Sequence, residues 1–118
     1  MTREPGYLPA MDPLTFDYED LHLRVDRGVF ELFYLTNPAS TFRVPLRWLG
    51  ALVHYKKPNQ PGKLSIGSVR DPNAALYGTD PAAFWYSTSP AFRVPHNDEP
   101  LFRAYFTEVA ALADRRVV

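Results

Sequence analysis

The stretch from Asn97 to Arg116 constrains this chain more than any other, because only there do apolar residues keep helical spacing over several turns. Leu101, Tyr105, Val109 and Leu112 fall on one stripe, and Phe102, Phe106 and Ala113 widen it. Asn97 is placed to cap the helix, and Pro100 is tolerable in a first turn, where a backbone donor is free. Asp98 and Glu99 at the front and Arg115 and Arg116 at the back complement the helix dipole. An aromatic-rich helix of this kind must cover something apolar. Everything upstream of it reads as strands.

Taken in order, Pro5, Pro9 and Pro13 space an extended or disordered tail that runs to about Leu14, leaving 15–118 as one domain. From Tyr18 to Val25, Leu21, Leu23 and Val25 alternate with Asp20, His22 and Arg24, the period of a half-buried strand. Asp26-Arg27-Gly28 predicts a short turn with Gly28 at positive φ, and Val29 to Leu35 is the partner strand. Thr36 to Ser40 breaks it with turn residues, Phe42 to Leu46 extends again, and Gly50 reads as a bend. Ala51 to Lys56, Lys63 to Val69, Phe84 to Thr88 and Ala91 to Val94 are further strands, with a loop over 57–62. Ala74 to Ala83 is open between a helical turn and a short strand. Phe-Arg-Val-Pro occurs at 42–45 and at 92–95, but no wider similarity surrounds the copies and no repeat is inferred.

About seven short strands followed by one helix is an α+β arrangement. With no helices between the strands, parallel βαβ units are disfavoured. The economical solution is a bent antiparallel sheet or partly open β-barrel, with the C-terminal amphipathic helix closing its apolar mouth and covering exposed edges.

A chain of 118 residues with 46% apolar content can bury a core of its own. It contains no cysteine, which removes disulfides, thiol catalysis and thiolate metal sites. Neither a signal-like start nor a bilayer-length apolar run is visible, so a cytoplasmic location is expected. Net neutrality hides a segregated charge: residues 1–36 carry −4, 37–70 carry +6 without a single acid, and 71–118 carry −2. All three lysines lie between positions 56 and 63. Acidic and basic strands lying side by side would account for this; so would a loop that faces anions.

Catalytic chemistry finds little purchase. His22, His54 and His96, even with Asp20, have no metal-ligand spacing, and neither a metal nor a cofactor is expected. Ser65, Ser68, Ser87 and Ser89 lack a nucleophile-elbow context, and Asp17, Glu19 and Asp20 read as solvated acids. Gly62, Gly67 and Gly78 form no phosphate cradle. The chain is expected not to be an enzyme. Two binding surfaces compete instead. Lys56, Lys57 and Lys63, with Arg70 at the far end of the following strand, form a candidate anion-binding set for lipid headgroups. Nucleic acid is the weaker option, since no stacking motif accompanies them. Trp48 beside Arg47, and Trp85, have the composition of a protein interface. A strand at Trp85 must turn it away from Phe84 and Tyr86, so whichever side faces the core leaves the other exposed. Strand addition by a protein partner, or self-association along the same edge, would suit an open sheet.

Val44-Pro45-Leu46, Leu49, Val53, Gly62-Lys63-Leu64-Ser65-Ile66 and Phe102-x-x-Tyr105-Phe106-x-x-Val109 carry a family likeness. Over roughly residues 17–116 the order of elements resembles the pleckstrin-homology-like superfold, and more locally bacterial domains of that type whose function is unknown. The resemblance implies an open barrel capped by the C-terminal helix and a binding role toward phosphoinositides, peptides or proteins. Lipid-binding members line the loop between their first two strands with lysines and arginines. Here that loop has Arg24 and Arg27 with Asp26 between them and no lysine. The expectation is therefore a protein-interaction module, with anionic surfaces as the alternative.

Overall fold

The computed structural model describes residues 12–88 and 92–118, the side chains of 38–40 excepted. The predicted N-terminal tail lies almost wholly outside the described residues, as do Ser89 and the start of the strand expected at Ala91. Among these residues eight strands form two four-stranded antiparallel sheets, and one helix follows: an α+β fold in which the described strands close no barrel. The first sheet runs in sequence order through β1 (Leu14–Tyr18), β2 (Leu21–Asp26), β3 (Val29–Tyr34) and β4 (Asn37–Pro45). A 3₁₀ turn at Leu46–Trp48 carries the chain to the second sheet. There β5 (Leu49–His54) pairs with β6 (Gly62–Val69), and β6 pairs at one end with β7 (Phe84–Ser87) and at the other with β8 (Phe92–Val94). The helix α1 spans Glu99–Ala113.

Periodicity explains most of this. Leu21, Leu23 and Val25 are buried while His22, Arg24 and Asp26 face outward. The turn at Arg27-Gly28 has positive φ at both residues (53° and 80°), the twist a two-residue hairpin prefers. Several expectations are corrected. The strand predicted from Tyr18 to Val25 is two strands, because Glu19 takes φ 51° and a two-residue turn pairs Tyr18 with Leu21. Residues 37–40 belong to β4, in an irregular hairpin where Tyr34 pairs Asn37 but Phe33 pairs Thr41. Gly50 is no bend but an interior residue of β5. A Cβ there would lie 2.6 Å from Val69 and 2.9 Å from Phe84, so glycine serves close packing. Ala74 to Ala83 holds neither a strand nor a helix at its start, where Tyr77 makes lone parallel bridges to Ala51 and Val117, and ends in a 3₁₀ turn at Pro81–Ala83.

The helix is shorter and rotated relative to its prediction. It buries Phe102, Tyr105, Phe106, Val109 and Ala110, whereas Leu101 and Leu112 are half exposed (50% and 54%). On a helix the two leucines lie about a quarter-turn from the centre of that stripe, and the aromatic side wins the core. Asn97 does not cap; it lies in a 3₁₀ turn (His96–Asp98). Asp98 precedes the helix but leaves the backbone donors alone, since its carboxylate accepts the Tyr18 hydroxyl. Arg115 and Arg116 lie beyond the last turn, not in it. Asp114 takes the left-handed conformation (φ 53°), and the Asp114 and Arg115 amides bond Ala111 and Ala110, a Schellman close.

That close aims Arg115 back into the protein. Its guanidinium donates to the carbonyls of Leu46 (2.8 Å), Leu49 (2.5 Å) and Ala74 (2.9 Å), pinning both ends of the 3₁₀ turn that joins the sheets. Burial lowers its pKa. Arg115→Ala would leave these part-buried carbonyls without their donor, and should cost about 1–3 kcal/mol. Urea unfolding checks this, and an unchanged midpoint would mean water replaces the guanidinium freely.

Three tyrosines tie the helix down. Tyr18 donates to Asp98, Tyr77 to Glu99 (2.8 Å) and Tyr105 to the Leu14 carbonyl (3.0 Å). Burial, aided by the Asp98 carboxylate, pushes Tyr18 up to about 12. Burial foremost also raises Tyr77, beside Glu99, and Tyr105, near Glu108. Unfolded phenols ionise near 10, so the stability these groups contribute is complete below that pH and is lost progressively as pH climbs above it, for Tyr18 up to about 12. The urea midpoint should fall steeply above pH 10, less so in Tyr18→Phe; a midpoint that holds or rises contradicts the anchoring role.

Candidate functional site

No backbone ladder joins the two sheets among the described residues, so they meet along two side-chain seams. At the β8 seam Phe92 lies between Tyr18 and Tyr34 (ring centroids 5.8 and 6.3 Å), and the core closes there. The other seam brings the outer edge of β4 toward that of β7. It is bridged by the Phe42–Tyr86 stack at 6.0 Å, with Tyr86 still 55% exposed. At its end lies an open groove of about 430 Å³ lined by Val44, Trp48, Ser68, Val69, Arg70 and Trp85.

Local irregularity builds this groove. Ser68 pairs with Tyr86 but Val69 pairs with Phe84, so Trp85 is the extra residue of a β-bulge. The bulge breaks the strict alternation expected of the segment: Trp85 is 73% exposed and Tyr86 is exposed beside it, while Phe84 is half-buried. Gly67 makes room for the strand, since a Cβ there would sit 1.8 Å from the Tyr86 carbonyl oxygen. Trp48 is half-buried on the 3₁₀ turn that Arg115 pins. A guanidinium rests over each indole, Arg47 over Trp48 at 5.6 Å and Arg70 over Trp85 at 5.4 Å. Both arginines are exposed, and neither forms an ion pair among the described residues.

The sequence-predicted site residues thus separate into two places. Trp48, Arg47 and Trp85 gather at the groove, and Arg70 joins them. Lys56, Lys57 and Lys63 are exposed at the opposite end of the second sheet. There Lys63 stands directly between His54 on β5 and Arg93 on β8. The register puts three cationic or protonatable groups in a row on one face, about 4.8 Å apart between strands. The row is not visible in the sequence: His54 meets Lys63 only once the β5–β6 register is fixed, and Arg93 reaches it on β8, which pairs with β6 although β7 lies between them in the chain.

The three histidines do not converge. His22 bonds Asp17 at 2.5 Å, His54 faces outward, and His96 stacks on Tyr55 at 4.2 Å. Among the described residues no group of three His, Asp or Glu could hold a metal, and no helix is long and apolar enough to cross a membrane. Comparison of the chain with family models, with curated proteins and with solved structures returns no match.

Three consequences can be measured. Trp85→Ala should leave stability within about 0.5 kcal/mol, as for an exposed side chain. Gly67→Ala should cost about 1–3 kcal/mol through overpacking against β7. Acrylamide quenching of the single-tryptophan variants should be stronger for Trp85 than for Trp48; equal quenching contradicts the arrangement.

Proposed function

We propose that this chain is a non-enzymatic binding module of the pleckstrin-homology-like type, which engages a protein partner at the Trp48–Trp85 groove. The observation that carries the reading is the bulge that holds Trp85 largely in solvent, beside a second tryptophan and two arginines that form no ion pair among the described residues. Tryptophan and arginine are the residues on which interface energy concentrates, and large exposed aromatics on a small domain mark docking surfaces. The element order and the helix cap support the superfold. So does the placement of the likeness-bearing Val44, Leu46, Leu49, Leu64, Ile66, Phe102, Tyr105, Phe106 and Val109 in one core.

A second reading rests on the row His54–Lys63–Arg93 with Lys56 and Lys57 nearby, which suits an anionic lipid surface. The two readings separate in one comparison of binding. Partner capture from a native lysate should fall on Trp85→Ala and survive Lys56→Glu/Lys57→Glu/Lys63→Glu. Salt-sensitive co-sedimentation with anionic but not zwitterionic vesicles, abolished by the lysine variant, would instead favour the lipid reading and displace the first.

A further inference from the structure

Resting on the docking reading, we propose that the occupant of the groove is an extended peptide segment of a partner protein. It carries an Asp or Glu two positions from an apolar side chain. Three observations define that chemistry. First, β7 is bonded to β6 on one side only, and its other edge, like the facing edge of β4, is unpaired by any strand among the described residues. An open edge accepts extended backbone, and an added strand would bridge a seam now joined by one aromatic stack.

Second, the charge at the groove is one-sided. Its six lining residues include Arg70 and no acid, and Arg47 adjoins Trp48. The nearest acids in sequence turn to their own loops, Asp71 accepting the Asn73 amide and Asp80 the Ala82 amide, and neither forms an ion pair with Arg47 or Arg70 among the described residues. Arg43, on β4, pairs with Glu31, whereas among the described residues neither groove arginine holds a carboxylate. A guanidinium over an indole retains N–H groups that suit a carboxylate bound by two parallel hydrogen bonds. Arg70 spends only a long 3.4 Å bond on the Phe84 carbonyl.

Third, each cation stands within 5.6 Å of the indole centroid it accompanies, so a carboxylate on the guanidinium and an apolar side chain on the exposed part of the indole would lie side by side. Side chains on one face of an extended segment recur every second residue. That sets the spacing at two positions. The indoles receive the apolar side chain and the guanidinium beside them receives the carboxylate.

The test pans a phage-displayed random heptapeptide library on the full chain and, in parallel, on Trp85→Ala, with circular dichroism confirming that each variant is folded. Enriched heptamers should carry Asp or Glu two positions from an apolar residue. Their synthetic forms, titrated by tryptophan fluorescence, should lose roughly tenfold in affinity on Arg70→Glu, with partial rescue by Arg70→Lys. Arg47→Glu/Arg70→Glu should select basic heptamers instead. Trp85-dependent enrichment of sequences without acids would overturn the acidic partner and leave docking at the groove standing. The absence of Trp85-dependent enrichment would overturn both. A concentration-dependent dimer lost in Trp85→Ala would also overturn it, the occupant then being a second copy of the chain.

Discussion

The aromatic stripe of one helix holds this structure together. Two sheets with no shared ladder among the described residues have only side chains to join them. Phe102 packs its ring on Phe16 and Tyr18 of β1, at 5.0 and 4.9 Å, and Phe106 lies between Phe30 of β3 and Tyr77, at 6.1 and 5.2 Å. Leu49, Ala51, Leu64 and Ile66 of the second sheet complete the same buried cluster. Fully burying side chains of this size is worth about 1.5–3 kcal/mol each, far more than any surface ion pair here. Polar ties then fix where the helix lies. Tyr18 and Tyr77 reach acids at its start, and Arg115 reaches carbonyls from its end.

The candidate site follows from what the helix does not cover. One seam between the sheets is filled by Phe92; the other is left to Phe42 and Tyr86. Backbone irregularity then aims Trp85 outward, and Gly67 is the residue that lets the bulged strand approach. Arg115 connects the core to this surface. It holds the turn that bears Trp48, so a helix-terminal motif in the sequence positions one wall of the groove.

Elements with a clean period were legible: β2 and β3, the Arg27-Gly28 turn, and the existence of a terminal helix that caps strands. What escaped were features decided by competition in the folded state. Nothing local marks Glu19 as a left-handed turn residue, since it lacks the glycine or asparagine that usually signals one. Asn97 lost the cap position because Asp98, one residue on, was drawn to a tyrosine eighty residues away in the chain. Leu101 and Leu112 fit a helical stripe as well as Phe102 and Phe106 do; only packing against Phe16, Tyr18, Phe30 and Tyr77 in the folded state chooses between them. At the site, the pairing of tryptophan with arginine was readable for Arg47-Trp48, which are adjacent, and hidden for Arg70 and Trp85, which meet only across β6 and β7. The lysine cluster was visible as composition, and its partners were not, because His54 depends on the exact register of the β5–β6 hairpin and Arg93 on a long-range pairing of β8 with β6.

The central claim is that the fold leaves the seam at β7 open while the helix locks the rest. Amide hydrogen exchange of the free protein, resolved residue by residue, addresses it most directly. The account predicts slow exchange in α1, in β2 and β3 and along β6, with fast exchange at the β7 amides that point away from β6. Protection of those outward β7 amides comparable to β6 would contradict it, because the edge proposed to receive a partner would already be occupied.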